Sequence, residues 1–182
     1  MVTGAEPVCT ADLLAILPAL TDHIVDAVTQ RQNELTCSGT SGGEAPSGMT
    51  SGTLTMTAQM ASGSSTYYAV SGSGIKVKQA GTYEIEVFAS AFVATSTTEW
   101  AQTVVSMTAA GGTTQVVKAR CEDLNSSGSA AHQEDTATGA LKRTVSLTAN
   151  AVIGFTGEYE AGSRAYGWNG FSADVSFTIT KK

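Results

Sequence analysis

The chain has 182 residues with a net charge of −6; charged residues make up 14% and hydrophobic residues 42%. Charge is well under the usual quarter of a globular chain, while the apolar share is enough for a core. The acidity is diffuse and no basic stripe exists, so nucleic acid is excluded as a partner, and no apolar run approaches the ~20 residues that span a bilayer, so no membrane insertion is expected.

The opening residues, MVTGAEPVCTADLL, have no basic start and no unbroken apolar run, so they do not read as a secretory signal. TADLLAILPALTDHIVDAVTQRQNEL then reads as helix. Leu13, Leu17, Leu20, Ile24 and Val28 recur at three- and four-residue steps and form one apolar stripe. Thr10 or Asp12 can cap the start, because a short side-chain oxygen accepts an orphan backbone N–H. Pro18 lies inside the pattern, lacks an N–H and crowds the preceding turn, so a kink or a split into two helices is expected, with Thr21 capping the second. Asp22 and Asp26 come early in that second part and Arg31 late, as the helix dipole prefers.

The next stretch, TCSGTSGGEAPSGMTSG, is rich in Gly, Ser and Thr and reads as a linker. The chain therefore divides into a helical segment at 1–36, a linker at 37–51 and a β-rich head at 52–182. A stripe with no nearby cover points to an anchoring or self-association segment, packed against its own copies or docked on another protein. The other possibility is that it folds back on the head.

From residue 52 the period changes to two. GTLTMTA, STYYAV and GIKVKQ are short strand candidates. GTYEIEVFASAFVATS is long, with Tyr83, Ile85, Val87 and Ala89 on one side. EWAQTVVSMTA, the turn AGGT and TQVVKARCED follow. After the polar stretch LNSSGSAAHQEDTATG come ALKRTVSLTA, AVIGFTGEYE and ADVSFTIT. Many short strands without intervening helices make an all-β sandwich or barrel.

Little in the chain suggests chemistry. Cys9, Cys37 and Cys121 match no zinc spacing. An odd count leaves either free thiols or an inter-chain disulfide through Cys9 or Cys37, which bracket the helix. Cys121 shares strand parity with Val117 and Ala119, so burial is expected. His23 and His132 are the only histidines. No GxSxG, HExxH, phosphate-loop or GxGxxG motif occurs, so no enzyme activity, metal or cofactor is expected. Trp100 and the stretch around His132 are candidates for surface recognition, with packing the favoured role for Trp100. Near the end, SRAYGWNGFS gathers Tyr166, Trp168 and Phe171 around two glycines. With Tyr83, these aromatics are expected in the core or between subunits.

Three motifs carry a family resemblance over roughly residues 66–182. GIKVKQAGTYEIEVFASAF, with Gly81 and Tyr83, resembles the strand–Gly-x-Tyr–strand signature of tumour-necrosis-factor-like and complement-globular-head jelly rolls. ALKRTVSLTANAVIGFTGEYE is similar to their next strand pair, with Ala149-Asn150 where many relatives have Gly-Asp. NGFSADVSFTITKK resembles their closing strand, with Phe171-Ser172 in place and Ala173 where Gly is usual. The resemblance implies a jelly-roll β-sandwich that assembles as a homotrimer and has no enzyme activity. Similar domains cap fibres and decorations on bacteriophage particles. With a helical anchor ahead of the head, it implies a structural virion protein of a tailed phage, assembled in the host cytoplasm: a head or neck fibre or a capsid decoration. Its partners would be its own copies and, through the helix, other virion proteins. The alternative is a tail-fibre tip that binds a host receptor or cell-surface glycan.

Overall fold

The computed structural model describes residues 10–45, 49–95, 100–122, 133–162 and 169–182. Helix α1 spans Thr10–Leu35 as one element with Pro18 inside it. The expected split into two helices does not occur. A proline removes one ladder hydrogen bond, and the helix runs across that gap. Thr21 therefore caps no second helix; its hydroxyl donates to the Leu17 carbonyl one turn back, at 2.8 Å.

Eleven strands follow among the described residues: β1 (Thr36–Glu44), β2 (Ser51–Leu54), β3 (Thr57–Ser62), β4 (Tyr68–Ser71), β5 (Gly74–Val77), β6 (Gly81–Thr95), β7 (Trp100–Ala109), β8 (Gly112–Glu122), β9 (Gln133–Leu147), β10 (Val152–Ala161) and β11 (Asn169–Lys181). One sheet has the order β3-β1-β11-β6-β9. The other has β4-β5-β10-β7-β8, with β2 added against β10. Neighbouring strands pair antiparallel. The chain crosses repeatedly from one sheet to the other, and a jelly roll results.

Period-two alternation puts the core between the sheets. Along β6, Tyr83, Ile85, Val87, Ala89, Ala91 and Val93 point inward, and along β11 Phe171, Ala173, Val175, Phe177 and Ile179 do the same. The facing sheet supplies Val105, Met107, Ile153 and Phe155. Two aromatic stacks join the layers: Phe155 on Phe177, with centroids 5.1 Å apart, and Tyr159 on Phe171, at 4.8 Å. Burying an aromatic of this size contributes about 2–3 kcal/mol relative to leaving it exposed.

Two sequence boundaries need correction. The stretch read as a linker is largely β1, which pairs with β11 on one side and β3 on the other. The head thus begins at Thr36. Its glycines serve close packing: a Cβ on Gly39 would stand 2.0 Å from the Gln59 carbonyl oxygen and 2.7 Å from the Phe177 ring. Composition suggested flexibility where the fold demanded small size. Likewise β9 begins at Gln133, so the second half of the polar stretch is strand.

Both expected turns are present. Between β7 and β8, Ala110 (φ 51) and Gly111 (φ 74) are both left-handed, as a two-residue hairpin of the primed type requires. Asn150 (φ 67) takes the left-handed position between β9 and β10, a conformation Asn tolerates better than most side chains.

Candidate functional site

The sheet β3-β1-β11-β6-β9 covers the core with one face and presents the other outward. Register sets what lies on that face. Phe88 on β6 stands between Ala140 on β9 and Ser176 on β11, and Thr40 on β1 follows Ser176 in the same row. The next outward aromatic along β6, Phe92, lies between Thr136 and Ser172. Ser90, flanked by Thr138 and Asp174, separates the two rows. Small hydroxyl and methyl groups thus surround two phenyl rings. Phe88 is 53% exposed. It borders a shallow, open depression of about 740 Å³ that runs to Ser38, Thr40 and Thr178.

Two lysines and two glutamates pair at one end of this face, while the exposed carboxylates of Asp174 and Glu44 stand further along it. The Lys142 ammonium lies 2.5 Å from Glu86 and 3.3 Å from Glu84, and Lys182 lies 3.1 Å from Glu84. The Lys182 hydrogen bond, followed by the contacts to Lys142, lowers the Glu84 carboxyl below the usual carboxylate value. Its stabilisation is therefore present above the ordinary carboxylate pKa and is lost as pH falls through the lower folded value. Lys142 is raised in turn by Glu86 and Glu84, in that order. A face with one exposed phenyl ring, a second that is half-buried, and small neighbours around both is suited to contact with a protein surface.

The residues singled out from the sequence fall in several places. Tyr83 and Phe171 are core residues, both buried, and neither reaches the outward face. Tyr83 donates its hydroxyl to the Gln79 carbonyl at 2.6 Å and sits edge-on to Tyr68. Tyr166, Trp168, His132 and Cys9 lie outside the described residues, as does the side chain of Leu13. Trp100 is half-buried and carries the Arg120 guanidinium 5.0 Å above its ring, which supports packing for that residue. Arg120 is held in turn by Glu122 at 2.6 Å. Leu17, Leu20, Ile24 and Val28 are exposed along α1.

Phe88 and Phe92 were missed. Their signal was present in TYEIEVFASAF: both fall on the phase of Glu84 and Glu86, opposite Tyr83, Ile85 and Val87, and an aromatic on the polar phase of a strand marks an apolar outer face.

Cys37 corrects a further expectation. It has no exposed surface, and burial pushes its thiol from the ordinary 9.0 up to about 11. An inter-chain disulfide there would require β1 to leave the sheet. Cys121 is buried as expected, with its thiol raised for the same reason. In a Cys9→Ser, Cys121→Ser variant, Cys37 is expected to react with a thiol reagent at pH 8 roughly 100-fold more slowly than in the urea-unfolded chain, because only the thiolate attacks. Equal rates would show that the site opens freely. Among the described residues, no group of three His, Cys, Asp or Glu side chains could hold a metal ion.

No family model matches the chain, and no curated protein matches it. Among solved structures it is similar to murine APRIL at pH 8.0, with 10% identity, 80% of this chain and 98% of that chain covered and a TM-score of 0.37. For murine APRIL at pH 5.0 the values are 14%, 79%, 98% and 0.35. For Eiger TNF from S. frugiperda they are 10%, 81%, 92% and 0.32. The β-head is a jelly roll. That statement rests on the strand order and pairing described above, which is the arrangement the sequence motifs implied.

Proposed function

We propose that the chain is a non-enzymatic structural protein that assembles as a homotrimer through the outward face of the sheet β3-β1-β11-β6-β9. The observation that carries this reading is Phe88, half-exposed at the centre of an outward sheet face among small hydroxyl and methyl side chains. A monomer gains nothing from that arrangement, whereas a closed assembly buries the phenyl ring. The three-fold order comes from the family resemblance of the motifs.

The setting we propose is the particle of a tailed phage, with the chain as a head or neck fibre or a capsid decoration. Its support is the order of parts: an apolar helix that covers almost nothing of its own head, followed by a rigid β-scaffold. The alternative of a glycan-binding tip has less support, because one face of Trp100 is occupied by Arg120. Light scattering on the full chain tests the assembly. A mass of three 18.6-kDa chains at micromolar concentration is expected, and a mass of one chain overturns the reading.

A further inference from the structure

The second uncovered surface is α1. From Ile16 to Glu34 every residue is exposed, and Leu17, Leu20, Ile24 and Val28 are each 49–55% exposed. An isolated helix gains no stability from such a stripe, since helix stability in proteins comes mostly from packing an apolar face. Something therefore covers it.

The candidate occupants differ in what they require. A bilayer core requires a longer apolar run: no helix among the described residues is long and apolar enough to cross a membrane. An anionic lipid surface requires a basic polar face, but Asp22, Asp26 and Glu34 outnumber Arg31. Among the described residues, the chain's own head is reached at the root of α1. There the Tyr68 hydroxyl donates to the Leu35 carbonyl at 2.5 Å and approaches the Ile179 carbonyl at 3.3 Å, so the last turn is tied to the core.

The root lies beside the proposed assembly face. α1 runs directly into β1, and Ser38 and Thr40, three and five residues past its end, border the depression next to Phe88. A rotation axis along the strands carries every copy's root to the same pole of the assembly. Neighbouring helices then meet at an effective concentration that a free partner does not match.

The stripe also has the period of a self-packing helix. Leu13, Leu17, Leu20, Ile24, Val28, Arg31 and Leu35 follow steps of four, three and four residues, taken twice. This is an 11-residue repeat, which stays on one face of an almost straight helix, where a seven-residue repeat would drift. One charged residue, Arg31, falls on that seam.

We infer that α1 packs in parallel and in register against the α1 helices of the other copies, as a near-straight stem with Leu17, Leu20, Ile24 and Val28 at its axis. The inference rests on the assembly reading above. It is tested in the full chain carrying Cys9→Ser, with Ile24→Cys on the seam or Asp26→Cys on the opposite side. Each variant is oxidised with copper phenanthroline and run on a non-reducing gel beside a light-scattering measurement. Ile24→Cys is expected to give at least ten-fold more covalent dimer than Asp26→Cys, in a fraction independent of protein concentration. Val28→Cys, one turn on, should repeat the result. Trimeric mass with no excess of cross-linking at Ile24 or Val28 overturns the stem alone and assigns the stripe to a different protein. Monomeric mass overturns the stem and the assembly together.

Discussion

Phe88→Asp is expected to convert the full-length protein from trimer to monomer without unfolding the head. The side chain leaves the sheet outward, so the monomer loses few contacts. Exposed substitutions of this kind usually change stability by ~0.5 kcal/mol, with up to about 1 kcal/mol added for the lower strand preference of Asp. The assembly responds very differently. It loses the burial of a phenyl ring from each copy and must also desolvate a carboxylate from each, at several kcal/mol per charge. Glu84 and Glu86 already engage Lys142 and Lys182 on this face, so no free cation among these four is available to the new carboxylates. An increase of more than about 1,000-fold in the dissociation constant follows, because each 1.4 kcal/mol is a factor of ten. Sedimentation at micromolar concentration reads the result.

Val70→Asp is the control. Val70 is 47% exposed on β4, in the opposite sheet, so a general effect of removing an exposed apolar residue would appear there as well. If Val70→Asp dissociates the protein and Phe88→Asp does not, the interface lies on the other face.

Much of this architecture was legible because β6 and β11 obey a strict alternation. Tyr83, Ile85 and Val87, and later Val175, Phe177 and Ile179, point inward wherever the period-two pattern says they should. The turns themselves were readable too, at AGGT and at Ala149-Asn150, though their left-handed backbone was not. The errors came where one residue type serves opposite ends. Gly39, Gly42 and Gly43 resemble linker glycines by composition, yet they lie in a paired strand. There the missing side chain allows another backbone to approach, and nothing local distinguishes that from flexibility. At Pro18, where a kink or a split was expected, the split does not occur: a local breaking signal did not outweigh the helical residues on either side. The outward face was partly legible. Phe88 stood out by phase, but Thr40 and Ser38 join it only through long-range pairing across β11, which a linear reading does not supply.

Gly39→Ala is expected to cost the head about 3 kcal/mol or more, a large loss for one methyl group. The new Cβ would lie 2.0 Å from the Gln59 carbonyl oxygen, well inside contact distance, and 2.7 Å from the Phe177 ring. Overpacking in a filled core ordinarily costs 1–3 kcal/mol when side chains can shift. Here the first obstacle is backbone, at the point where the β1–β3 register already shifts between Ser38 and Gly39. Relief therefore requires β1 and β3 to separate. Phe177→Ala should not rescue the variant, because it removes the second obstacle and leaves the first. It also unstacks Phe155 and opens a cavity, which by itself costs ~3–5 kcal/mol. Urea unfolding measures both losses, with the midpoint shifted and the slope unchanged. The measurement belongs in the Phe88→Asp background, since subunit dissociation would otherwise add a concentration-dependent contribution to the apparent stability. A loss below about 1 kcal/mol for Gly39→Ala would mean that β3 yields easily. The pairing of β1 with β11 would then hold that edge of the assembly face without help from β3.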